Sequence, residues 1–245
     1  MEGISYKPIS PATNLSALII GGSGAVGREI IDILINSPNY AHITIPTRRR
    51  IEKWNLYKEK ELEKIKFIDI DSLDDILNIK EFANIKTKFF PNTKFDTIFC
   101  CLGSRVKLGE EAFRKVDFEY VVNAAKLAAF LNVHHYSIVS SKGANANSCF
   151  LYLRVKGQAD EELMKEDINC ISVHRPGIIK DRDNDSRIGE KIVKYVPFLD
   201  KIFSKSLAEA IVKQDILIHQ KNINQKKIYI HSEIESFLDS ESNYC

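Results

Sequence analysis

The chain has 245 residues, of which 44% are hydrophobic and 28% charged, and its formal net charge is only +2. A chain of this length can bury a substantial core, as one large α/β domain or as one domain with a small lobe. The near-balanced charge gives no electrostatic case for binding nucleic acid or a membrane surface, so neither is expected as a partner.

Cysteine usage and the absence of long apolar runs predict a cellular compartment. The five cysteines include no CxxC pair and no metal-ligand spacing, which suits a reducing environment. The amino terminus shows no apolar segment of a secretory signal, and no apolar run approaches the ~20 residues that span a bilayer. We therefore expect a cytoplasmic or nucleocytoplasmic protein without membrane insertion.

Apolar runs and helical periodicities alternate along the chain. Residues 1–16 contain two prolines and no clear period, which predicts a surface extension. The predicted strands then cover residues 17–20, 43–45, 66–70, 97–103, 136–140, 170–173 and 227–230, and the predicted helices run from the glycine turn to about residue 36 and over residues 110–130, 152–165 and 207–218.

This alternation predicts a doubly wound parallel sheet of the Rossmann-like α/β class, formed by residues 1–245 as a single domain. The alternation fades after Gly177. Residues 178–245 are expected to supply a small lobe on the substrate side and a polar tail. No motif identifies the substrate within this region.

The first strand ends at a glycine turn with the spacing GxxGxxG, formed by Gly21, Gly24 and Gly27. The three glycines have separate expected tasks: to turn the chain out of the strand, to let a phosphate approach the backbone, and to let the helix pack on the strand. The free N–H groups at the helix start would hold a pyrophosphate. Taken alone, the motif is a weak indication, because a turn that merely begins a helix has the same composition.

The second strand ends in a basic turn, Thr47-Arg48-Arg49-Arg50. Proteins that bind NAD usually carry an acidic residue here for the ribose 2′-hydroxyl, whereas a guanidinium can grip a 2′-phosphate with two hydrogen bonds. The turn therefore favours NADPH or NADP as cofactor, although it could also be a simple solvated turn. Asp69, at the end of the third strand, is expected near the adenine or in a helix cap.

Tyr152 and Lys156 lie four residues apart and share one face of a predicted helix. A free phenol has a pKa of ~10, and a neighbouring cation stabilises the phenolate, as a proton shuttle at a carbonyl or alcohol oxygen requires. Ser140 and Ser141 end the preceding strand, at the sheet edge where open α/β proteins bind ligands. Either serine could polarise the substrate oxygen.

These motifs together resemble the short-chain dehydrogenase/reductase superfamily in its extended-to-atypical branch, and more closely the Tat-interacting-protein group of NADPH-binding proteins. The similarity covers about residues 17–200. It is carried by Cys100-Cys101-Leu102-Gly103-Ser104, Val116-Asp117, Tyr120-Val121, Ser140-Ser141-Lys142-Gly143-Ala144, Phe150-Leu151-Tyr152-Leu153, Val155-Lys156-Gly157 and Arg175-Pro176-Gly177.

The resemblance implies roles for individual residues. Tyr152 would be the acid/base, Lys156 its modulator and ribose anchor, and Ser141 or Ser140 the group that orients the carbonyl. The cofactor would be contacted by Gly21, Ser23, Gly24, Ala25, Val26 and Gly27 at the pyrophosphate, by Arg48 and Arg49 at the 2′-phosphate, by Leu102 and Gly103 along the crevice, and by Arg175, Pro176 and Gly177 over the nicotinamide end.

Two alternatives stay open. The resemblance implies hydride transfer between NADPH and a small carbonyl substrate, but the related group is also associated with protein partners in transcription and nuclear import. A regulatory NADPH-binding protein with little turnover is the second hypothesis. Asp117 stands where classical members have an asparagine, which affects the expected rate of turnover. The chain could be a monomer or a homodimer.

No cluster with metal-ligand spacing involves His134, His135 or His174, and no metal is expected. His134, His135 and His174 are predicted to lie in connecting segments or in the core.

Overall fold

The computed structural model describes residues 14–181 and 200–239. Residues 1–13 of the predicted extension, residues 182–199 of the predicted lobe, and residues 240–245, which include Cys245, lie outside the described part. The description below concerns the remaining chain.

Seven parallel strands form the main sheet, and a short second sheet contains two further strands. The strands are β1 (Leu15–Ile20), β2 (Tyr40–Thr47), β3 (Ile65–Asp69), β4 (Thr97–Cys100), β5 (His135–Val139), β6 (Cys170–Arg175), β7 (Ile178–Ile179), β8 (Lys201–Ile202) and β9 (Lys226–Ile230). The main sheet has the order β3-β2-β1-β4-β5-β6-β9, so the chain winds outward from β1 in one direction and then crosses to build the other half. The switch lies between β1 and β4, where open α/β sheets bind their ligands.

Helices cover both faces of this sheet. They are α1 (Ala25–Asn36), α2 (Glu59–Leu62), α3 (Asp74–Leu77), α4 (Phe82–Phe89), α5 (Glu110–Arg114), α6 (Tyr120–Phe130), α7 (Leu151–Leu163), α8 (Ser204–Lys221) and α9 (His231–Asp239), with 3₁₀ turns at Glu52–Leu56, Ile79–Glu81 and Val106–Leu108 and a π-helical turn at Lys115–Glu119.

Strand β1 shows how the sheet divides the core. Leu18 and Ile20 belong to a hydrophobic cluster with α4, α6 and α7, whereas Ala17 and Ile19 belong to a second cluster with α1 and α8. Successive side chains of a strand point to opposite faces, so a fully apolar strand requires helices on both sides. The predicted doubly wound, Rossmann-like fold is confirmed.

Several predicted boundaries were wrong for identifiable reasons. Strand β1 begins at Leu15, so the last residues of the expected extension already pair with β2. Strand β4 ends at Cys100, because the following residues leave the sheet and run beside Gly21. The predicted helix over residues 110–130 is interrupted by the π turn Lys115–Glu119, which hydrophobic spacing alone does not reveal.

The last described elements complete the sheet domain. Helix α8 packs against α1, and β9 pairs with β6 as the edge strand of the main sheet. Apolar residues of α8, among them Leu207 and Ile211, are buried in the same cluster as Ile30 and Leu34 of α1. The substrate-side role expected for residues 178–245 stays a prediction.

Candidate active site

The glycine turn closes the carboxyl end of β1 and starts α1. Gly21 has a φ of +87°, and a Cβ at this position would lie 2.9 Å from the backbone carbon of Cys101, so both the conformation and the space require glycine. A Cβ at Gly27 would lie 2.4 Å from the carbonyl oxygen of Gly21. These two glycines let the helix, the turn and the segment after β4 pack closely.

The amino terminus of α1 has the properties of an anion site. Gly24 is the N-cap residue and supplies no side-chain hydrogen bond, and the first turn contains no acidic residue. The first N–H groups of the helix therefore have no side-chain cap, and the helix dipole makes this end partly positive. A phosphate group is the type of ligand that such a helix end binds.

A cleft opens directly beside this helix end, at the carboxyl edge of the sheet. Its lining includes Tyr152 and Lys156 of α7, which are both buried, and Ser140, which follows β5. The cleft is lined by Gly24, Ala25, Val26, Cys101, Leu102, Asp117, Val139, Ser140, Tyr152 and Lys156. The structure thus brings the start of α1 together with Ser140, Tyr152 and Lys156, whereas the fourth predicted catalytic residue, Ser141, is not among the residues that line the cleft.

Asp117 also lines the cleft, although it was not among the predicted site residues. It stands where classical members of the superfamily have an asparagine. Its Oδ1 lies 2.9 Å from Lys156 Nζ, as an ion pair without hydrogen-bond alignment, and its Oδ2 accepts hydrogen bonds from the backbone N–H and the Oγ of Ser104, each at 2.7 Å. The carboxylate is 1% exposed. Asp117 lies in the π turn, and such turns often occur at functional sites because they displace side chains from the regular helical spacing.

The charge of Lys156 is kept inside the protein by its neighbours. Burial lowers the pKa of Lys156, but the Asp117 carboxylate, together with Tyr152, offsets that effect, so the pKa lies above its ordinary value. The ammonium therefore stays charged at neutral pH. A buried ammonium beside a phenol is the arrangement that a tyrosine proton shuttle uses.

The two serines have different surroundings. Ser140 lines the cleft, and its Oγ donates to Asp160 Oδ2 at 3.0 Å. The Oγ of Ser141 donates to the carbonyl of Lys142 at 3.3 Å. Of the two serines, Ser140 belongs to the lining of the cleft.

The predicted segment Arg175-Pro176-Gly177 contacts residues next to Ser140. Arg175 Nε donates to the same Asp160 oxygen at 2.8 Å, and the carbonyl of Pro176 accepts from the N–H of Lys142 at 2.8 Å. The N–H of Gly177 donates to His231 Nδ1 at 3.1 Å, and a Cβ on Gly177 would clash with the backbone of Asp200. The expected closure of this segment over a nicotinamide stays a prediction.

The three arginines of the basic turn after β2 are all exposed, and Arg50 differs from the other two in making an ion pair. Arg50 makes a two-pronged ion pair with Asp69, with both contacts at 3.1 Å, and its guanidinium lies 4.0 Å from the centre of the Phe67 ring. The hydrogen bond from Arg50 lowers the pKa of Asp69. Arg48 and Arg49 are exposed, and their guanidinium groups have no ion pair within the residues that the structure describes. The remaining predicted contacts, Ser23 and Gly103, adjoin the cleft without being part of its lining.

A second polar cluster lies at the opposite, amino edge of the sheet. Asp215 of α8 is fully buried, and its carboxylate accepts hydrogen bonds from Tyr40, Thr97 and His135. The side chains of His135, Asp215 and His219 offer ligand atoms within 4.8 Å of one another, a grouping that sequence spacing missed because His135 and Asp215 are 80 residues apart. These residue types could hold a metal ion, but both carboxylate oxygens already accept hydrogen bonds from protein donors. In this structure the cluster forms a buried hydrogen-bond network that joins α8 to the sheet.

The other two histidines of the prediction, His134 and His174, occupy a connection and the core, as predicted. His174 is buried in β6, where its Nε2 lies 2.7 Å from Gln214 Oε1, and burial lowers its pKa to about 4. His134 precedes β5, and burial, with His219 nearby, lowers its pKa.

Several known proteins are similar to this chain in sequence. No protein-family model matches the chain. The chain is 29% identical to protein HTATIP2 of Rattus norvegicus over 185 residues, which cover 74% of this chain and 69% of that protein. It is 31% identical to mitochondrial protein FMP52-1 of Scheffersomyces stipitis over 169 residues, 67% of each chain. Mitochondrial FMP52 of Candida albicans is 26% identical over 219 residues, 86% of this chain and 90% of that protein.

Solved structures share the fold at low sequence identity. Helicobacter pylori ADP-L-glycero-D-manno-heptose-6-epimerase has a TM-score of 0.60 at 18% identity and covers 95% of this chain and 84% of its own. ElxO, solved with NADP bound, has a TM-score of 0.61 at 18% identity, with 91% of this chain and all of its own covered. The fold and the cleft define the class of NAD(P)-binding Rossmann proteins of the short-chain dehydrogenase type. The chain belongs to the atypical short-chain dehydrogenase/reductase superfamily, in the group that includes HTATIP2 and the FMP52 proteins.

The predicted cytoplasmic or nuclear location was wrong. Relatives from Scheffersomyces stipitis, Candida albicans and Coccidioides immitis are all named mitochondrial proteins. The composition and the cysteine pattern indicate only whether the compartment is reducing, and they do not identify the compartment. Targeting depends on short segments that receptors read, and these leave no mark on overall charge or hydropathy.

Proposed function

We propose that the protein is an NADPH-dependent oxidoreductase that acts on a carbonyl or alcohol substrate. The observation that carries this proposal is that Tyr152 and Lys156 line the same cleft as Gly24 at the uncapped start of α1. A dinucleotide held at that helix end would reach along the sheet edge toward the phenol. The cofactor-binding residues and the catalytic residues would then line one continuous cleft.

The basic turn supports NADPH over NADH. Arg48 and Arg49 are exposed at the end of β2, where the ribose of a bound dinucleotide lies in Rossmann proteins. A guanidinium matches a phosphate with paired charge-assisted hydrogen bonds. Arg50 is a weaker candidate, because Asp69 and the Phe67 ring already engage it.

The cofactor, when bound, would supply the hydride that reduces the carbonyl carbon. Tyr152 would give its phenolic proton to the resulting alkoxide, and in the reverse direction it would take the proton back. Lys156 would stabilise the phenolate by its charge. Ser140 would orient the carbonyl oxygen, for which its hydroxyl proton has to turn from Asp160 toward the substrate.

A titration with NADPH and NADH, followed by fluorescence, tests the proposal. The Arg48→Ala, Arg49→Ala double variant loses charge-assisted contacts worth about 1.5–3 kcal/mol, so NADPH affinity should fall roughly ten- to a hundredfold while NADH affinity barely changes. Arg50→Ala is the matched control and should have a much smaller effect. Failure of the wild-type protein to bind either nucleotide would contradict the proposal.

A second candidate function is a regulatory protein that binds NADPH and reports it to protein partners with little turnover. The ion pair between Lys156 and Asp117 favours it, because the carboxylate opposes the charge that a proton shuttle exploits. Both candidates require NADPH binding. They differ in whether Tyr152 is also needed for catalysis.

Following the names of the FMP52 relatives, we infer that the protein acts in mitochondria. Fractionation of cells that express the full chain with a carboxyl-terminal tag tests this location. Recovery of the tagged protein outside the mitochondrial fraction would overturn it.

A further inference from the structure

Residues 51–57, a segment that we call the strap, follow the basic turn and lie against helix α1. The buried indole of Trp54 belongs to the same hydrophobic cluster as Ile30 and Leu34 of α1. Tyr57 is partly buried and packs against this cluster. Because α1 begins at the glycine turn, the strap joins the basic turn to the helix that would hold the pyrophosphate.

Two polar side chains of the strap bind carboxylates on α1. The hydroxyl of Tyr57 donates to Asp32 Oδ1 at 2.6 Å. The ammonium of Lys53 forms ion pairs with Asp32 and, at 3.3 Å, with Glu29. The side chains of Glu29 and Asp32 are 20% and 26% exposed, so these contacts are screened less by salt than ion pairs on an open surface. The strap is therefore fixed to α1 by both polar and apolar contacts.

The basic turn is held at both of its ends. At its start, Thr47 Oγ1 donates to the carbonyl of Arg49 at 2.7 Å. At its end, the Arg50 guanidinium lies 4.0 Å from the centre of the Phe67 ring, and this ring centre lies 5.0 Å from that of Trp54 in the strap. The backbone between these points is therefore held in place, while the Arg49 side chain stays exposed.

We propose that Tyr57 and Lys53 are positioning residues, which hold the basic turn at a fixed distance from the start of α1 and thereby set the preference for a dinucleotide with a 2′-phosphate. The inference rests on the proposed function, because it concerns the same cofactor site. Such a dinucleotide has to reach the helix start and the arginines at the same time. If the turn is ordered in advance, binding does not have to order it, and NADPH binds more tightly. NADH lacks the 2′-phosphate, so its affinity does not depend on the turn.

Limited trypsin digestion tests the strap without any nucleotide. Trypsin cleaves after arginine where the backbone can open, and Arg48, Arg49 and Arg50 are exposed. Tyr57→Phe keeps the ring in the apolar cluster but removes the hydrogen bond to Asp32. Cleavage within the basic turn, measured by mass spectrometry of the fragments, should be roughly two- to tenfold faster in this variant than in the wild-type protein. Equal rates would overturn the proposal.

Nucleotide titration tests the consequence for the cofactor. Trp54 is the only tryptophan of the chain, so quenching of its fluorescence can follow nucleotide binding. In Tyr57→Phe, the dissociation constant for NADPH should rise roughly two- to tenfold, whereas that for NADH should stay the same. A merely structural role would lower the thermal stability or weaken the binding of both nucleotides alike. An unchanged ratio of the two dissociation constants would therefore overturn the proposal.

Lys53→Met is a second variant, for the case in which Tyr57→Phe does not fold. It keeps the length of a side chain that is 38% exposed, and it removes both ion pairs to α1. Its matched control is Lys60→Met, which removes the same charge from an exposed position of α2 outside the strap. Lys53→Met should lower the preference for NADPH and accelerate cleavage in the basic turn, and Lys60→Met should change neither. Equal effects of the two variants would mean that net charge, and not position, sets the preference, and would overturn the proposal.

The role of the strap and the proposed function can fail separately. Failure of the wild-type protein to bind NADPH would contradict the proposed function and, with it, the role of the strap in cofactor preference. Binding of NADPH by the wild-type protein, with an unchanged preference and an unchanged digestion rate in Tyr57→Phe, would overturn the role of the strap alone.

Discussion

Thr97, the first residue of β4, donates a hydrogen bond from Oγ1 to Asp215 Oδ1 at 2.7 Å, across a separation of 118 residues. The same hydroxyl lies 2.7 Å from His219 Nε2. Because Thr97 has a single hydroxyl proton, which it gives to the carboxylate, its oxygen accepts from His219. With Tyr40 and His135 also bonded to Asp215, helix α8 is held against the amino ends of strands β2, β4 and β5.

Removal of the carboxylate should therefore loosen α8 from the sheet. Asp215→Ala leaves the buried donors of Tyr40, Thr97 and His135 without their acceptor, and loss of one partner from such a network costs about 3–5 kcal/mol. Urea denaturation at neutral pH measures this loss. Lys205→Ala, at an exposed position of the same helix, should change the free energy of unfolding by less than about 0.5 kcal/mol. Similar losses of stability in both variants would contradict the role of Asp215 in holding α8 to the sheet.

The same network predicts a maximum of stability between two pH limits. Burial raises the pKa of Asp215, but His219 and His135 offset this and hold it well below its ordinary value of 3.8, so its contribution is present above that value and is lost in acid. Burial lowers the pKa of His219, but Asp215 raises it above its ordinary value of 6.5. The contribution of His219 is therefore complete below pH 6.5 and is lost as the pH rises through the folded-state pKa.

The alkaline limb is tested by His219→Gln. Denaturation of this variant should show no loss of stability over the pH range in which the wild-type protein loses the His219 contribution. Gln can still donate to Thr97, so the hydrogen bond is retained while the titratable charge is removed. Parallel pH profiles for the two proteins would show that His219 does not titrate in this range.

Gly24 and Gly27 should respond differently to replacement by alanine. A Cβ at Gly24 meets its nearest atom, Gly21 O, at 3.3 Å, whereas one at Gly27 meets the same oxygen at 2.4 Å. Gly27→Ala should destabilise the fold by about 1–3 kcal/mol or more, because the helix is forced away from the turn. Gly24→Ala should keep its thermal stability but lose roughly ten- to a hundredfold in NADPH affinity, because the methyl group blocks a charged hydrogen bond. Unchanged NADPH affinity in Gly24→Ala would mean that no phosphate lies there.

Tyr152→Phe separates the two candidate functions. An enzyme that uses this phenol should bind NADPH with the wild-type affinity but lose about 10²- to 10⁴-fold in reductase activity against a panel of carbonyl compounds. A regulatory protein should retain partner binding in Tyr152→Phe and lose it in the Arg48→Ala, Arg49→Ala variant. Equal reductase activity in wild type and Tyr152→Phe would exclude Tyr152 as the acid.

The sequence alone determined what depends on neighbours along the chain. The strand, the turn at Gly21 and the helix to Asn36 follow from hydrophobic spacing and from the conformations that only glycine tolerates. The alternation of such units implied the parallel sheet, and the four-residue spacing of Tyr152 and Lys156 implied their shared helix face. Each inference concerns a local hydrophobic periodicity or a backbone preference, and such properties depend on a few adjacent residues.

Tertiary structure decided which distant residues meet. The π turn that directs Asp117 at Lys156 leaves no trace in the hydrophobic pattern, because it depends on how the helix packs against α7 and the loop at Ser104. The contact of Asp215 with Thr97 and His135 required the sheet order and the docking of α8, which are set by burial of two apolar faces. Ser140 lines the cleft and Ser141 does not, a difference that two identical adjacent side chains do not reveal in the sequence.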